Sequence, residues 1–239
     1  MDAFTETRPA LSLSELSAAA ELPLSTTHRL VAELTTWGGL TRGADGRYRV
    51  GLRLLEIGSL SPGSLGLRER AMPFLEDLYE ATRQNVQLAV RDDLEVVYVE
   101  RISARGAVNV LTRVGSRMPL HATGVGLILL AHADVDVRER VFAAPMERFT
   151  EMTISTTTRL REALATARRD GYVISDRQLE MITKSIAAPV RDATNTVIAA
   201  LSIVVPVETD SRTLIPAVRA AGHGISRAMG WRPAKSARR

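Results

Sequence analysis

A stretch rich in glycine, serine and proline, GSLSPGSLG at residues 58–66, interrupts the 239-residue chain. This composition is typical of a flexible linker or a broken helix, so the residues on either side are expected to fold separately. The hydrophobic fraction of 45% and the charged fraction of 24% are those of globular proteins, which excludes a largely disordered chain. The sequence therefore predicts a first domain over residues 1–60, a second domain over residues 67–232 and a basic tail over residues 233–239.

Composition also excludes several kinds of site. The chain has no cysteine, which removes disulfides, thiol nucleophiles and cysteine-ligated metals, and its four histidines lie far apart in sequence. It contains no phosphate-loop lysine, no dinucleotide fingerprint and no paired nucleophile and base. We therefore expect no catalytic residue, no metal site and no cofactor, and we predict that the chain is not an enzyme.

The apolar runs and the N-terminus indicate where in the cell the chain is expected. The longest apolar runs, residues 124–131 and 197–207, are too short to span a bilayer. The opening residues, MDAFTETRPA, lack the basic and apolar regions of a secretory signal. A cytoplasmic location without membrane contact is expected.

The net charge of +4 is concentrated at the C-terminus. The segment WRPAKSARR holds four basic side chains and no acid, so 4 − 4 leaves residues 1–230 with no net charge. The basic balance therefore does not by itself indicate nucleic-acid binding. The tail is interpreted as a solvated end rather than as a functional arm.

The pattern of the first domain predicts two short helices followed by a hairpin. Ser12 or Ser14 is expected to cap a helix over residues 16–20, and Ser25 to cap a second helix over residues 26–37. The two glycines that follow are expected to end this helix, and the Asp-Gly step after them predicts a hairpin. A further helix is expected directly after the hairpin. This order of elements is typical of a winged helix-turn-helix.

A winged helix-turn-helix binds DNA with the start of its second helix in the major groove. The first turn of that helix combines small hydroxyl side chains with donors, and the hairpin carries arginines suited to phosphates or to the minor groove. From Ser25 to Arg53 the chain has five arginines and two acids. An ordinary cap and an ordinary charged surface explain the same residues, and spacing alone leaves both interpretations open. The candidate DNA-binding residues are Ser25, Thr26, Thr27, His28, Arg29, Arg42, Arg47 and Arg49.

The second domain alternates helical and extended patterns. Helices are predicted over residues 67–82, 124–133, 135–142, 158–169 and 211–229. The second of these is apolar all round and is therefore expected to be buried. Strands are predicted over residues 86–91, 96–101, 107–114, 172–175, 183–191 and 196–205. Antiparallel strand pairs with helices packed against them make an α+β fold.

Several segments, in this order, resemble the IclR family of bacterial transcription regulators. The runs LSLSELSAAAELPLSTTHRLVAEL and GRYRVGLRLLEIG resemble the DNA-binding domain of that family, and MPLHATGVGLILLA, GYVIS and IAAPVRDATNTVIAALSI resemble its effector-binding domain. The resemblance implies an N-terminal winged helix-turn-helix joined by a linker helix to a C-terminal GAF-like antiparallel-sheet effector domain. It also implies a double-stranded DNA operator, a small organic effector and a homodimer or homotetramer.

Two features depart from the family pattern. Leu24 stands where the family often has a basic residue, which removes one phosphate contact. Arg29 and the hairpin are therefore expected to supply more of the phosphate binding. Only MDAF stands where the family has a full first helix, and it resembles the end of that helix. A translation start upstream of Met1 is expected, because so small a unit has little apolar area to spare.

The resemblance also implies an effector pocket. Residues 123–126 would offer backbone N–H groups to an anionic ligand, as a glycine-containing helix N-terminus does. Tight packing of helix on sheet is the other explanation of these glycines. Serines and a valine stand opposite, where the family commonly has an acid, a cysteine and serines, so we expect a less acidic pocket and an aromatic or branched carboxylate as ligand. The candidate effector-binding residues are Thr123, Gly124, Val125, Gly126, Ser175, Ser185, Ser202 and Val204.

Other conspicuous side chains have plain structural explanations. His121 is expected to be a hydrogen-bonded structural histidine, and Met118, Met146, Met152 and Met181 are expected to fill the core. The sequence thus predicts a DNA-binding regulator, expected to be a repressor, that responds to a small organic carboxylate. The alternative is a small-molecule sensor that acts through protein contacts because its DNA-binding domain is impaired.

Overall fold

The structure is a computed structural model of the chain and describes residues 3–5, 7–60, 65–103, 108, 110 and 112–233. Two compact units divide the chain, residues 1–65 and residues 66–239. The middle of the predicted linker, residues 61–64, and most of the predicted tail, residues 234–239, lie outside the described residues.

The first unit combines three helices with a small antiparallel sheet. The helices are α1 (Leu13–Ala20), α2 (Leu24–Trp37) and α3 (Leu52–Ser59). The strands are β1 (Ala10–Leu11), β2 (Leu40–Arg42) and β3 (Tyr48–Val50), in the order β1-β3-β2. The core takes one buried side chain from each of β1, α1, α2, β2 and β3, namely Leu11, Leu16, Val31, Leu40 and Tyr48. The predicted order of helix, helix and hairpin is confirmed.

The predicted cap of α1 is confirmed, and the predicted cap of α2 is wrong. The Ser12 Oγ accepts a hydrogen bond from the Glu15 N–H at 3.2 Å, and the Glu15 carboxylate accepts one from the Ser12 N–H at 2.7 Å. This capping box confirms Ser12, one of the two predicted caps, and α1 starts directly after it at Leu13. α2 starts at Leu24 after Pro23 at its N-cap, so the prediction that Ser25 caps this helix is wrong. Proline sets the backbone angle at the entry without a side-chain hydrogen bond.

The residues before α1 also differ from the prediction. Ala3 lies in a turn and Phe4 lies outside any helix, so the interpretation of MDAF as a helix end is wrong for these two residues. Both pack against the core of the first unit. β1, which pairs antiparallel with β3, was not predicted, because a strand of two residues is too short to show alternation.

The second unit is an antiparallel sheet with helices on both faces. Its strands are β4 (Asn85–Asp92), β5 (Glu95–Ile102), β6 (Arg117–Pro119), β7 (Val173–Asp176), β8 (Thr183–Arg191) and β9 (Val197–Pro206). They follow the order β6-β5-β4-β9-β8-β7. The helices are α4 (Leu65–Thr82), α5 (Gly124–Ala131), α6 (Val135–Ala143), α7 (Thr157–Asp170) and α8 (Ile215–Ala228). The α+β fold class is confirmed.

Each face of this sheet has its own core. On one face, α5 packs against strand residues that include Ala89, Ala187 and Ala200, and α6 and α7 pack against α5. All eight residues of α5 are buried, as its apolar pattern predicts. On the other face, α4 and α8 contribute Leu75 and Val218, among others, to a second buried cluster. The small alanines let α5 approach the sheet closely.

Three predicted boundaries in the second unit are wrong. A strand was expected over residues 107–114, but the described residues of this range lie outside any strand, and β6 forms instead at Arg117–Pro119 against β5. The helix expected over residues 124–133 ends at Ala131, and His132 is its C-cap residue. The helix expected from Ser211 begins as a short 3-10 turn before α8 starts at Ile215.

Truncation of the core of the second unit tests this placement of α5. Ile128→Ala is expected to lower the free energy of unfolding by about 2–5 kcal/mol, because Ile128 is fully buried and a cavity would replace its side chain. The matched control is Ile182→Ala, since Ile182 is 61% exposed; its expected effect stays within about 0.5 kcal/mol. Denaturant unfolding followed by circular dichroism measures both. Equal losses would contradict the burial of α5.

Candidate functional site

The start of α2 presents polar and small side chains to solvent. Ser25, His28 and Arg29 are exposed, and Thr26 is half-buried. Thr27 faces the core instead: it is 4% exposed, and its hydroxyl donates to the Pro23 carbonyl oxygen at 3.1 Å. The structure therefore brings the other predicted residues of this turn to one surface and places Thr27 behind them.

Arg42 and Arg47, two of the hairpin arginines, are held by contacts inside the first unit. The Arg42 Nε donates to the Gly46 carbonyl oxygen at 3.3 Å, and its guanidinium lies over the Tyr48 ring. The Arg47 guanidinium donates to the Glu15 carboxylate at 2.9 Å. The second contact ties the hairpin to the first turn of α1, which also uses Glu15 in its capping box. The arginines are thereby oriented before any partner binds.

Arg49 forms a bidentate pair with Asp45 at the hairpin turn. Two hydrogen bonds, of 3.1 and 2.6 Å, join the guanidinium to the carboxylate. Together with the Arg47 backbone N–H, this bonding lowers the pKa of Asp45 to about 2. Both side chains are substantially exposed, and ion pairs in water contribute little to stability. The pair therefore adds little to the stability of the first unit.

In the second unit, one pocket gathers most of the predicted effector residues. Its cavity volume in this structure is about 40 Å³, well below that of an occupied small-molecule site. Among the described residues, seven of the eight predicted ones line it: Thr123, Gly124, Val125, Ser175, Ser185, Ser202 and Val204. Gly126 lies one position further along α5.

Sheet register explains why distant residues meet in this pocket. Ser175 lies opposite Ser185 across β7 and β8, and Ser185 lies opposite Val204 across β8 and β9. Ser202 lies opposite Gln87 across β9 and β4. Because side chains alternate between faces along a strand, these residues share the face that α5 covers.

The N-terminus of α5 closes the pocket above β7 and β8. The Thr123 hydroxyl accepts the Gly126 N–H at 2.9 Å, so that donor serves the helix cap. Gly124 and Val125 line the pocket, and their N–H groups precede the regular hydrogen bonds of the helix. A Cβ built on Gly124 would lie 2.5 Å from the Ser185 Oγ. Gly124 is thus required by close packing at the wall of the pocket.

Sequence reasoning missed a polar group at the β4 end of the pocket. Gln87 is buried on β4, donates through its amide to the Thr112 hydroxyl, and accepts from the Ser202 hydroxyl at 3.5 Å. Tyr98 is buried beside it, and burial raises the pKa of its hydroxyl. A glutamine inside the apolar run NVQLAV was the signal, because such a position faces a core or a site. Among the described wall residues, charge is confined to Glu180 and Lys184.

His121 and the methionines occupy structural positions. The His121 ring is buried, and its Nε2 is hydrogen-bonded to the Glu147 carbonyl oxygen at 2.9 Å. Met118 and Met146 pack against the core under α5. Met181, in contrast, is largely exposed, so the expectation that it fills the core is wrong. The described part of the chain contains no group of three potential metal ligands and no helix that could cross a bilayer.

Known protein families match both units. Residues 61–227 match the bacterial transcriptional regulator IclR C-terminal domain, and residues 1–43 match the IclR helix-turn-helix domain. The chain belongs to the IclR family. It is therefore a DNA-binding transcriptional regulator with an effector domain, and the family is one of regulators rather than enzymes.

Individual relatives extend over almost the whole chain. It is 31% identical over 237 residues to the HTH-type transcriptional regulator XynR of Escherichia coli, covering 97% of this chain and 94% of that protein. It is 29% identical over 213 residues to the transcriptional repressor IclR of the same species, covering 87% and 78%. The structure of an IclR homolog from Microbacterium hydrocarbonoxydans, complexed with 4-hydroxybenzoate, is similar with a TM-score of 0.90 and 39% identity, covering 95% of each chain.

The close approach at Gly124 can be tested by compensation. Gly124→Ala is expected to lower the free energy of unfolding by about 1–3 kcal/mol, because the new methyl overlaps the Ser185 oxygen. Adding Ser185→Ala removes that oxygen and is expected to restore part of the loss. The control Gly66→Ala has nothing within 4 Å of its Cβ and is expected to be neutral or slightly stabilising. A double variant no more stable than Gly124→Ala alone would show that this contact is not the cause.

Proposed function

We propose that this chain is a repressor that releases its operator when an aromatic carboxylate occupies the pocket between α5 and the sheet. The observation that carries this proposal is the arrangement of two polar ends in one cavity. The start of α5 approaches Ser175 of β7 and Ser185 of β8 at Gly124, and Gln87 lies on β4. Since β4 and β8 are two strand spacings apart, about 10 Å, the two polar ends match an aromatic ring with a polar group at each end, and the cavity of about 40 Å³ has to widen to admit it.

The chemistry of the two ends differs. A helix N-terminus favours an anion, so the carboxylate belongs at Gly124 and Val125, with the Ser175 and Ser185 hydroxyls beside it. Gln87 offers both a donor and an acceptor and therefore suits a neutral hydroxyl substituent. The similar protein that was complexed with 4-hydroxybenzoate supports a ligand of this class.

For DNA, we place the start of α2 in the major groove and the hairpin on the backbone. Ser25, Thr26, His28 and Arg29 supply the contacts of the helix, and the hairpin supplies Arg42, Arg47 and Arg49. Thr27 supports this surface from behind, because its side chain is buried. The local arginines supply the positive charge that phosphate binding requires, although residues 1–230 carry no net charge.

A mobility-shift assay on the duplex upstream of the coding region tests both halves of this proposal. The chain is expected to form a competitor-resistant complex at low salt, and 4-hydroxybenzoate is expected to dissociate it. Benzoate, which lacks the second polar group, is expected to require a higher concentration, and Gln87→Leu is expected to reduce the difference between the two ligands. Isothermal titration of each ligand supplies the affinities.

The outcomes separate the alternatives. A complex that 4-hydroxybenzoate leaves intact, with no heat of binding, would contradict the proposed ligand class. Ligand binding without a DNA complex would favour the small-molecule sensor. A complex that forms only when ligand is present would show an activator-like response rather than release.

We also infer that α3 mediates self-association. Leu52 and Leu55 lie three residues apart on this helix and are 74% and 67% exposed. Two exposed leucines on one helical face match a second copy of the same face, since a two-fold interface is self-complementary. A dimer also supplies the two DNA-binding units that a symmetric operator needs.

Charge on that face is expected to separate the copies. The double variant Leu52→Glu and Leu55→Glu is expected to shift the mass in solution from a dimer or tetramer toward a monomer, measured by light scattering after size exclusion. Val135→Glu, at another exposed apolar position, is the control and is expected to leave the mass unchanged. An unchanged mass for the double variant would place the interface elsewhere.

A further inference from the structure

The exposed face of α2 carries an acid as well as a base. The Arg29 guanidinium and the Glu33 carboxylate lie 2.9 Å apart, one helical turn from each other. Their side chains are 66% and 62% exposed. Ala32, beside Glu33, is exposed and has only a methyl group, so it leaves room for another surface to approach this turn.

Stability does not explain this acid. An exposed pair four residues apart on a helix contributes only a few tenths of a kcal/mol, and the arrangement with the base on the N-terminal side is the weaker orientation. A carboxylate on a surface that faces DNA is also repelled by the phosphates. On such a surface, a hydrogen-bond donor on the bases would offset that repulsion.

The edges of the bases supply such a partner. In the major groove, guanine presents two acceptors that match the arginine fork, and cytosine presents an amino donor that matches a carboxylate. Four helical residues advance about 6 Å along the axis of α2, which is comparable to one or two base-pair steps. Arg29 and Glu33 can therefore contact neighbouring base pairs at the same time.

We propose that Glu33 is a specificity-determining residue that accepts a hydrogen bond from the amino group of a cytosine, within two base pairs of a guanine that Arg29 contacts. The inference rests on the proposed placement of α2 in the major groove. In the free protein, Arg29 and Glu33 satisfy each other. On the operator, the carboxylate remains beside Arg29 and adds the cytosine amine as a second donor, which offsets its repulsion by the phosphates.

Selection from a randomised duplex library with the full chain tests this role. The wild-type chain is expected to select a C in each half-site within two positions of a G. Glu33→Gln is expected to replace that C by A or to lower its preference about tenfold, because an amide matches the adenine edge. The preference at the G and at all other positions is expected to remain.

Matched controls separate specificity from charge and from folding. Glu56→Gln removes an exposed acid that pairs with an arginine on α3, and it is expected to leave the selected sequence unchanged. In the presence of competitor DNA, Glu33→Gln is expected to bind an operator with A in place of C as tightly, within about threefold, as the wild-type chain binds the operator with C. Circular dichroism confirms that each variant is folded.

Three outcomes would overturn the proposal. An unchanged selected sequence for Glu33→Gln would show that the carboxylate contacts no base. Loss of the preference at G, with C unaffected, would make Glu33 a positioning residue for Arg29. If the wild-type chain selects no sequence at all, the placement of α2 falls together with the role of Glu33, which distinguishes that failure from the other two.

Discussion

The approach of α5 to the sheet is the constraint on which the second unit depends. Every residue of this helix is buried, so protein atoms surround it on all sides. At its start, the space between Gly124 and Ser185 has no room for even one extra carbon atom. The alanines of β4, β8 and β9 provide the flat surface that such contact needs. The pocket is where this contact ends: beyond Gly124, polar side chains replace alanines on the same face of the sheet.

The first unit uses acids to hold its arginines. Glu15 serves both the start of α1 and the Arg47 guanidinium, and Asp45 holds Arg49 across the hairpin turn. These pairs restrict the long arginine side chains in the free protein. Since the pairs are exposed, they add little to the stability of the unit. The balance of acids and bases in this unit is therefore compatible with DNA binding.

The order of elements could be predicted because periodicity and turn residues report local structure. The wholly apolar helix α5 and the Asp-Gly hairpin are examples, since each is specified within its own few residues. The predicted strand over residues 107–114 failed for a different reason. Val110 and Thr112 are buried in the wall of the pocket, and the Val108 carbonyl oxygen accepts a hydrogen bond from Asn85. The alternating pattern there reflects burial on one side of an unpaired segment. A paired strand gives the same pattern, so the sequence alone does not distinguish the two.

The site residues were predictable only in part for a similar reason. The serines of β7, β8 and β9 follow from the family resemblance, but the position of Gln87 beside Ser202 depends on the pairing of β4 with β9. Likewise, Thr27 belongs to the DNA-facing motif in sequence, yet it lies one turn before Val31 and shares its buried face. Both cases need the register of distant elements, which no local pattern contains.

Strand β5 links the pocket to the helix that follows the linker in the chain. An irregularity in its pairing with β4 lets Tyr98 face the pocket while Glu100, two residues on, faces the other side of the sheet. There the buried Glu100 carboxylate pairs with Arg68 of α4. A buried carboxylate that loses its partner is costly, so α4 and β5 are expected to move together.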